Sequence, residues 1–185
     1  MKIRPQTRSA IVEAAFQLYK SDPNASVADI AMLAGVGRAT LHRYFPSRED
    51  LTVELALTAV KEIDEAAEIA SEKAASYTEA IKLILFALIP LADRYWFLSN
   101  QTTGDDPAVQ SEYKRQAQET ADLIEQAKNE GGLNPQLPTS WLCEVFDGLL
   151  FAAWEMVRKE NATAKQASEL AWNTFINGAG TQHEQ

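Results

Sequence analysis

Apolar residues recur along most of this chain at intervals of three and four, the spacing that brings side chains onto one face of an α-helix. The first run, over 7–20, puts Ile11, Ala14/Ala15 and Leu18 on one stripe with Phe16 and Tyr19 alongside, and Asp22-Pro23-Asn24 ends it. A short helix is predicted after Ser26, whose hydroxyl suits an N-cap, turning Ile30, Ala31 and Leu33/Ala34 inward. Gly35-Val36-Gly37 reads as a tight turn, and Phe45-Pro46 stops a third short helix over 38–44. Ser47 opens a long helix to about residue 73, with Glu49 and Asp50 at its positive end and Leu51, Leu55, Ala59, Ile63 and Ala66/Ala67 along one face. Further helices are predicted over 78–98 with a kink at Pro90, over 107–129 ending at Gly131-Gly132, over 139–159 and over 163–177. No stretch alternates with period two, so the pattern predicts an all-α chain.

The short helices between 26 and 45 bury little by themselves. They are predicted to pack on the first helix around Ile11, Ala15, Leu18, Ile30, Leu33/Ala34, Val36, Leu41 and Phe45. Val36 in the turn would lock them at a steep angle, freeing the 38–44 helix to enter a major groove. Leu41 and Phe45, four apart, share the inward face, which leaves Arg38, Ala39, Thr40, His42, Arg43 and Tyr44 outward with no acid among them. An Arg forks onto the acceptors of guanine, and Thr, Tyr and His bond phosphate oxygens. Arg38 and Arg43 are therefore the candidates for base edges. Arg48 would bring a cation to phosphate beside a helix N-terminus.

Net charge is −9, which by itself argues against a nucleic-acid partner. Its distribution reverses that inference. Residues 1–48 hold seven Lys/Arg against three Asp/Glu, a balance of +4, while residues 49–185 hold ten against twenty-three, a balance of −13. A cationic head on an anionic body would orient the approach to phosphates. Lys2 and Arg4 add a short basic arm. No apolar run approaches the roughly 18–20 residues of a membrane span, and the charged N-terminus has no apolar segment behind it to make a signal peptide. Cys143 is the sole cysteine, which excludes an internal disulfide and fits a reducing, cytoplasmic setting. No nucleophile–base set, phosphate-cradling glycine loop or metal-ligand spacing is present: His42 is far from the only other histidine, His183, and Cys143 has no pair. Neither an enzyme nor a cofactor is expected.

The run from Val27 to Leu51 resembles the DNA-binding signature of the TetR (tetracycline-repressor-like) family of transcriptional regulators. It matches at Ile30-Ala31, Ala34-Gly35-Val36, Thr40-Leu41, Tyr44-Phe45, Ser47 and Glu49 to Leu51, and the upstream stripe of Ile11, Ala14-Ala15 and Leu18 fits as well. The resemblance covers the head alone. It implies a three-helix helix-turn-helix head over 1–47 and a helical-bundle body over 48–185 for ligand binding and dimerisation, with about nine helices and a two-fold dimer. Thr40 and Tyr44 fall where the family's hydroxyls meet phosphate, Ser26 where the second helix meets the DNA backbone, and Arg48 where Lys is usual. His42 departs from the usual Tyr, which puts that local contact in doubt.

The resemblance further implies a repressor released from palindromic double-stranded operator DNA by a small-molecule effector whose identity the sequence does not contain. A DNA-binding protein without an effector, or a purely structural bundle, are the alternatives. Dimerisation would use the last two helices through Leu142, Phe146, Leu149, Ala153 and Met156, then Leu170 and Thr174. The helix over 139–159 is apolar nearly all round and must be covered on both sides. A cavity in the body is predicted among Phe86, Tyr95, Trp96, Asn100, Phe146, Asp147, Phe151 and Trp154, although an aromatic stripe on a helix is more often core. Gly148 is predicted to allow close helix approach.

Overall fold

The computed structural model describes residues 5–181 apart from 23, 93, 95, 96 and 99–105. Among them are eight α-helices and no strand: α1 (Pro5–Ser21), α2 (Val27–Leu33), α3 (Arg38–Tyr44), α4 (Arg48–Ser71), α5 (Tyr77–Leu88), α6 (Pro107–Asn129), α7 (Thr139–Arg158) and α8 (Ala164–Ala179). Four of these begin with the same device. Ser26 and Asp29 at α2, Ser47 and Asp50 at α4, Ser76 and Glu79 at α5, and Thr163 and Gln166 at α8 each let a hydroxyl accept the third helical N–H while the later side chain takes a backbone N–H at the start. Each such cap stabilises its helix by about 1 kcal/mol.

Helix α5 stops earlier than its apolar pattern predicts. Pro90 has no N–H to continue the ladder, and Ile89–Leu91 tighten into a 3-10 turn. Ala92, Arg94, Phe97 and Leu98 are again helical.

The chain forms two compact units. The first comprises Met1–Lys61 and Asp93–Glu112, the second Glu62–Ala92 and Tyr113–Gln185, so the boundaries fall inside α4 and α6. In the first unit α1 buries Ile11, Ala15, Phe16 and Tyr19, α2 buries Ile30 and Ala31, α3 buries Leu41, and α4 buries Leu51 and Leu55. Arg8 ties α1 to α4 through two bonds to Glu54, at 2.7 Å from Nε and 2.5 Å from the guanidinium terminus, and its guanidinium lies 5.1 Å from the Phe45 ring. Phe97 is wholly buried in this same unit, its ring 5.5 Å from Phe16 and 5.8 Å from Tyr19.

In the second unit α7 and α8 pack along a seam where Phe146 meets Phe175 edge-on at 6.1 Å, with Leu142, Leu150, Ala153, Ala167 and Ala171 filling the rest. Asp64 of α4 accepts bonds from Arg115 and from Gln116 (2.7 Å), both on α6. The carboxylate of Glu130 accepts the N–H groups of Tyr77 (2.9 Å) and Thr78 (2.6 Å) at the start of α5. No helix among the described residues is long and apolar enough to cross a membrane.

Candidate nucleic-acid interface

The local sequence explains how α3 is presented. Helix α2 ends in backbone bonds from Ala34 N–H to Ile30 and from Val36 N–H to Ala31, each 2.9 Å. Gly35 makes that reversal at φ +67°, a left-handed conformation that costs glycine little. Gly37 then starts α3 in an extended conformation, and Phe45 ends it with φ −135°. Leu41 and Phe45 are buried, as their spacing predicts, and burying each stabilises the head by about 1.5–3 kcal/mol. Val36 is half-buried in the turn, while Leu33, predicted to face inward, is 45% exposed beside Met32. In a helix of two turns Ile30 and Ala31 already fill the face toward α1, and the chain turns away directly after Leu33.

The outward side of α3 is open. Arg38, Ala39, His42 and Arg43 are exposed, and Thr40 and Tyr44 are half-buried with them. Arg43 holds its guanidinium 5.7 Å from the Tyr44 ring. This cation–π contact steadies a long side chain that remains exposed. Arg48, exposed in the first turn of α4, lies 5.7 Å from the ring of Tyr19. Burial pushes the Tyr19 phenol above its usual range, and the charge of Arg48 opposes that shift.

Two polar groups of the head are engaged within the chain itself. The Ser26 hydroxyl donates to the Asp29 carboxylate and accepts the Asp29 N–H at 3.2 Å, so its polar capacity is largely committed within the cap. Asp29 is held below the usual carboxylate range by those bonds from Ser26, with a smaller contribution from the charge of Arg38. Arg8, counted among the basic groups of the head, is neutralised by Glu54, whose hydrogen bond raises its pKa. Among the described residues of the head, the exposed guanidinium groups lie on α3 and at the start of α4. The reciprocal carboxylates Asp29 and Asp50 are legible in the chain as a repeated Ser-x-x-Asp pattern; the Tyr19 platform under Arg48 is not. Lys2 and Arg4 lie outside the described residues.

The model of the bacterial regulatory proteins of the tetR family matches residues 11–55, which span α1 to α3 and the start of α4. The HTH-type transcriptional repressor LfrR of Mycolicibacterium smegmatis is 29% identical over 156 residues, 84% of this chain and 81% of that protein. The amino-terminal head of the chain is a TetR-type DNA-binding module. The crystal structure of LfrR in complex with proflavine superposes with a TM-score of 0.79 at 26% identity, over 96% of this chain and 99% of that one. A TetR family regulator from Marinobacter aquaeolei shares the fold, with a TM-score of 0.77 at 18% identity over 96% and 97% of the two chains. The protein is thus a DNA-binding transcriptional regulator of all-α architecture and not an enzyme.

The body of the chain gathers some of the remaining candidates and separates others. Leu149, Ala153, Met156, Leu170 and Thr174 line one apolar groove of about 140 Å³ between α7 and α8, together with Ala152, Ala167 and Ala171. Leu142 and Phe146 are instead buried within the chain's own seam. The Phe146 ring meets Phe175 edge-on, so it helps hold α7 to α8. Among the described residues, a Cβ added at Gly148 would meet no atom within 4 Å, so no described helix approaches closely there.

Of the predicted cavity residues, Asp147, Phe151 and Trp154 follow one another along a side of α7, with the two rings 6.5 Å apart. Phe151 is exposed and Trp154 buried. Asp147 reaches solvent, yet neighbouring atoms crowd its carboxylate, and that desolvation, aided by Glu144, raises its pKa. Phe146 points into the seam, and Phe86 is half-buried on α5 with the Lys82 ammonium 5.9 Å from its ring. Tyr95, Trp96 and Asn100 lie outside the described residues. Cys143 is half-buried with its thiol pushed up by burial, the character of a packing residue rather than a nucleophile.

Proposed function

We propose that this regulator is a cytoplasmic repressor that grips a palindromic operator as a two-fold homodimer and lets go when a small molecule occupies its body. The observation that carries the reading is the outward side of α3: Arg38, His42 and Arg43 exposed, Thr40 and Tyr44 beside them, and no acid on the helix. A single head with so few contacts binds weakly. Two heads at the spacing of one helical turn of DNA, about 34–36 Å, reinforce one another, because the second binds at the high effective concentration set by the first. Arg38 and Arg43 would read base edges, and Thr40, His42, Tyr44 and Arg48 would set the register on phosphates. The apolar groove between α7 and α8, with Leu170 57% exposed at its rim, supports a second copy as the cover of this face.

The relative LfrR bears the name of a repressor and was solved with proflavine, a flat aromatic cation. A body with a balance of −13 over residues 49–185 suits ligands of that charge. An effector that favours the released state by about 2.7 kcal/mol lowers operator occupancy about a hundredfold.

The test is selection of binding sites from random duplex DNA by the full-length protein, followed by titration of the selected site at fixed salt. A palindromic site bound at least about 10³-fold more tightly than scrambled DNA is expected, in a complex with two chains, and weakened by proflavine. Binding equally to all sequences would refute the operator reading; unchanged affinity across a panel of aromatic cations would refute the effector.

A further inference from the structure

The first compact unit is not made from one stretch of chain. Residues 93–112 belong to it, although the chain before and after them belongs to the second unit. Two of those residues make specific contacts with α1. Phe97, 1% exposed, packs edge-on against Phe16 at 5.5 Å and lies tilted against Tyr19 at 5.8 Å. Arg94 places its guanidinium 4.3 Å from the Phe16 ring and donates to Glu13 at 2.8 Å, with 15% of its side chain exposed. Tyr19, so backed, is the ring over which Arg48 lies at 5.7 Å. Tyr19 is therefore the ring that touches both Phe97 and Arg48, the cation at the start of α4.

We propose that Phe97 is a positioning residue for operator binding: it fixes the Tyr19 ring, and through it the Arg48 guanidinium, so that Arg48 meets phosphate in a single prepared geometry. The proposal rests on the reading of Arg48 as a phosphate contact. Arg48 is flexible by nature and has rotamer freedom to lose on binding. A ring held in place by Phe97 removes part of that loss before DNA arrives. Without the Phe97 ring, Tyr19 has room to tilt, and Arg48 loses its support although its charge remains. Arg94 secures the same segment through Phe16 and Glu13, which keeps Phe97 seated.

The experiment uses the full-length protein and its selected operator. Phe97→Leu keeps most of the buried volume, and Phe97→Met keeps the length without the flat ring; whichever retains a cooperative melt is carried forward. Operator affinity is measured against salt concentration for that variant, for Arg48→Gln and for the double variant. The expected result is a loss of about 5- to 20-fold for the Phe97 variant and a fall in the magnitude of the log–log salt slope by about 0.9 for each phosphate that Arg48 no longer neutralises. Little further weakening is expected when the Phe97 change is added to Arg48→Gln. A merely structural role lowers the melting temperature but leaves the slope untouched, and its effect multiplies with that of Arg48→Gln; either result overturns the proposal. If Arg48→Gln alone leaves slope and affinity unchanged, the phosphate reading of Arg48 has failed instead, and with it the premise. If the wild type selects no operator, the functional reading fails before the variants are compared.

Discussion

Replacing Arg43 by alanine isolates base reading from folding. Arg43 is exposed, and its guanidinium lies 5.7 Å from the neighbouring Tyr44 ring, on the surface of the same helix. An exposed cation–π contact is worth about 0.5–1 kcal/mol at most, and surface substitutions usually change stability by less than about 0.5 kcal/mol. The melting temperature of Arg43→Ala should therefore stay within a few degrees of wild type. Removing a forked bond to guanine costs about 1–3 kcal/mol per site. A two-fold dimer presents the residue twice, so the operator complex should weaken by about 2–6 kcal/mol, or roughly 30-fold to more than 10⁴-fold in affinity. Arg43→Lys separates the two ingredients of the interaction: it keeps the charge and so the salt dependence, but gives up the fork and with it the preference for guanine. Fluorescence anisotropy with the selected operator and with single-base variants measures both quantities. An Arg43→Ala protein that binds with wild-type affinity and wild-type base preference would remove Arg43 from the reading face and weaken the assignment of α3 as the recognition helix.

Leu170→Glu places a charge at the rim of the apolar groove without disturbing the core, since Leu170 is largely exposed; sedimentation should show single chains, and persistence of a dimer would place the interface elsewhere. Glu130 is held below its usual range: desolvation pushes it upward, but bonds from Thr78 and Tyr77 outweigh it. A carboxylate depressed in the folded state stabilises above its unfolded pKa and loses that contribution as pH falls through the folded value, so Glu130→Gln should be destabilising near neutrality, by at most about 1 kcal/mol because solvent screens the group. That difference should shrink as pH falls below the ordinary carboxylate range in denaturant titrations; a difference independent of pH would contradict the bonding scheme. Bonds from Arg158 and Lys159 hold Glu155 well below the usual carboxylate range, down to about 2; NMR titration of Arg158→Gln should show this carboxyl moving upward, and an unmoved value would deny the pairing its role.

Helix boundaries are legible wherever a stop or start signal is local. The limits of α3 follow from Gly37 and Phe45-Pro46, and those of α6 from Pro107 and the glycines after Asn129. The end of α5 escapes the apolar pattern because periodicity continues through Ile89 and Leu91, whereas the hydrogen-bond ladder cannot pass Pro90 unchanged. Leu33 departs from its expected inward position because a stripe says which residues share a side but not how wide a neighbour covers it. Phe16 and Tyr19 sit beside the stripe of α1 with no visible partner in the sequence. Their partner is Phe97, about eighty residues downstream, and no local pattern encodes a contact over that distance. For the same reason the adjacency of Phe97 to Tyr95 and Trp96 suggests a single aromatic cluster of the body, whereas Phe97 serves the first unit. The outward residues of α3 are the most readable part, because the helix is short and its two inward positions fix all the others.

The excursion of residues 93–112 into the first unit bears on how such proteins can be recombined. A graft that transplants only the amino-terminal helices onto a foreign body would leave an aromatic hollow facing Phe16 and Tyr19. Chimaeras intended to pair a new operator with an old inducer would need to carry Arg94 and Phe97 along with the helices they brace. Lineages that exchange reading heads by recombination near residue 60 would inherit a mismatched plug, and compensating change should be sought at those two positions first.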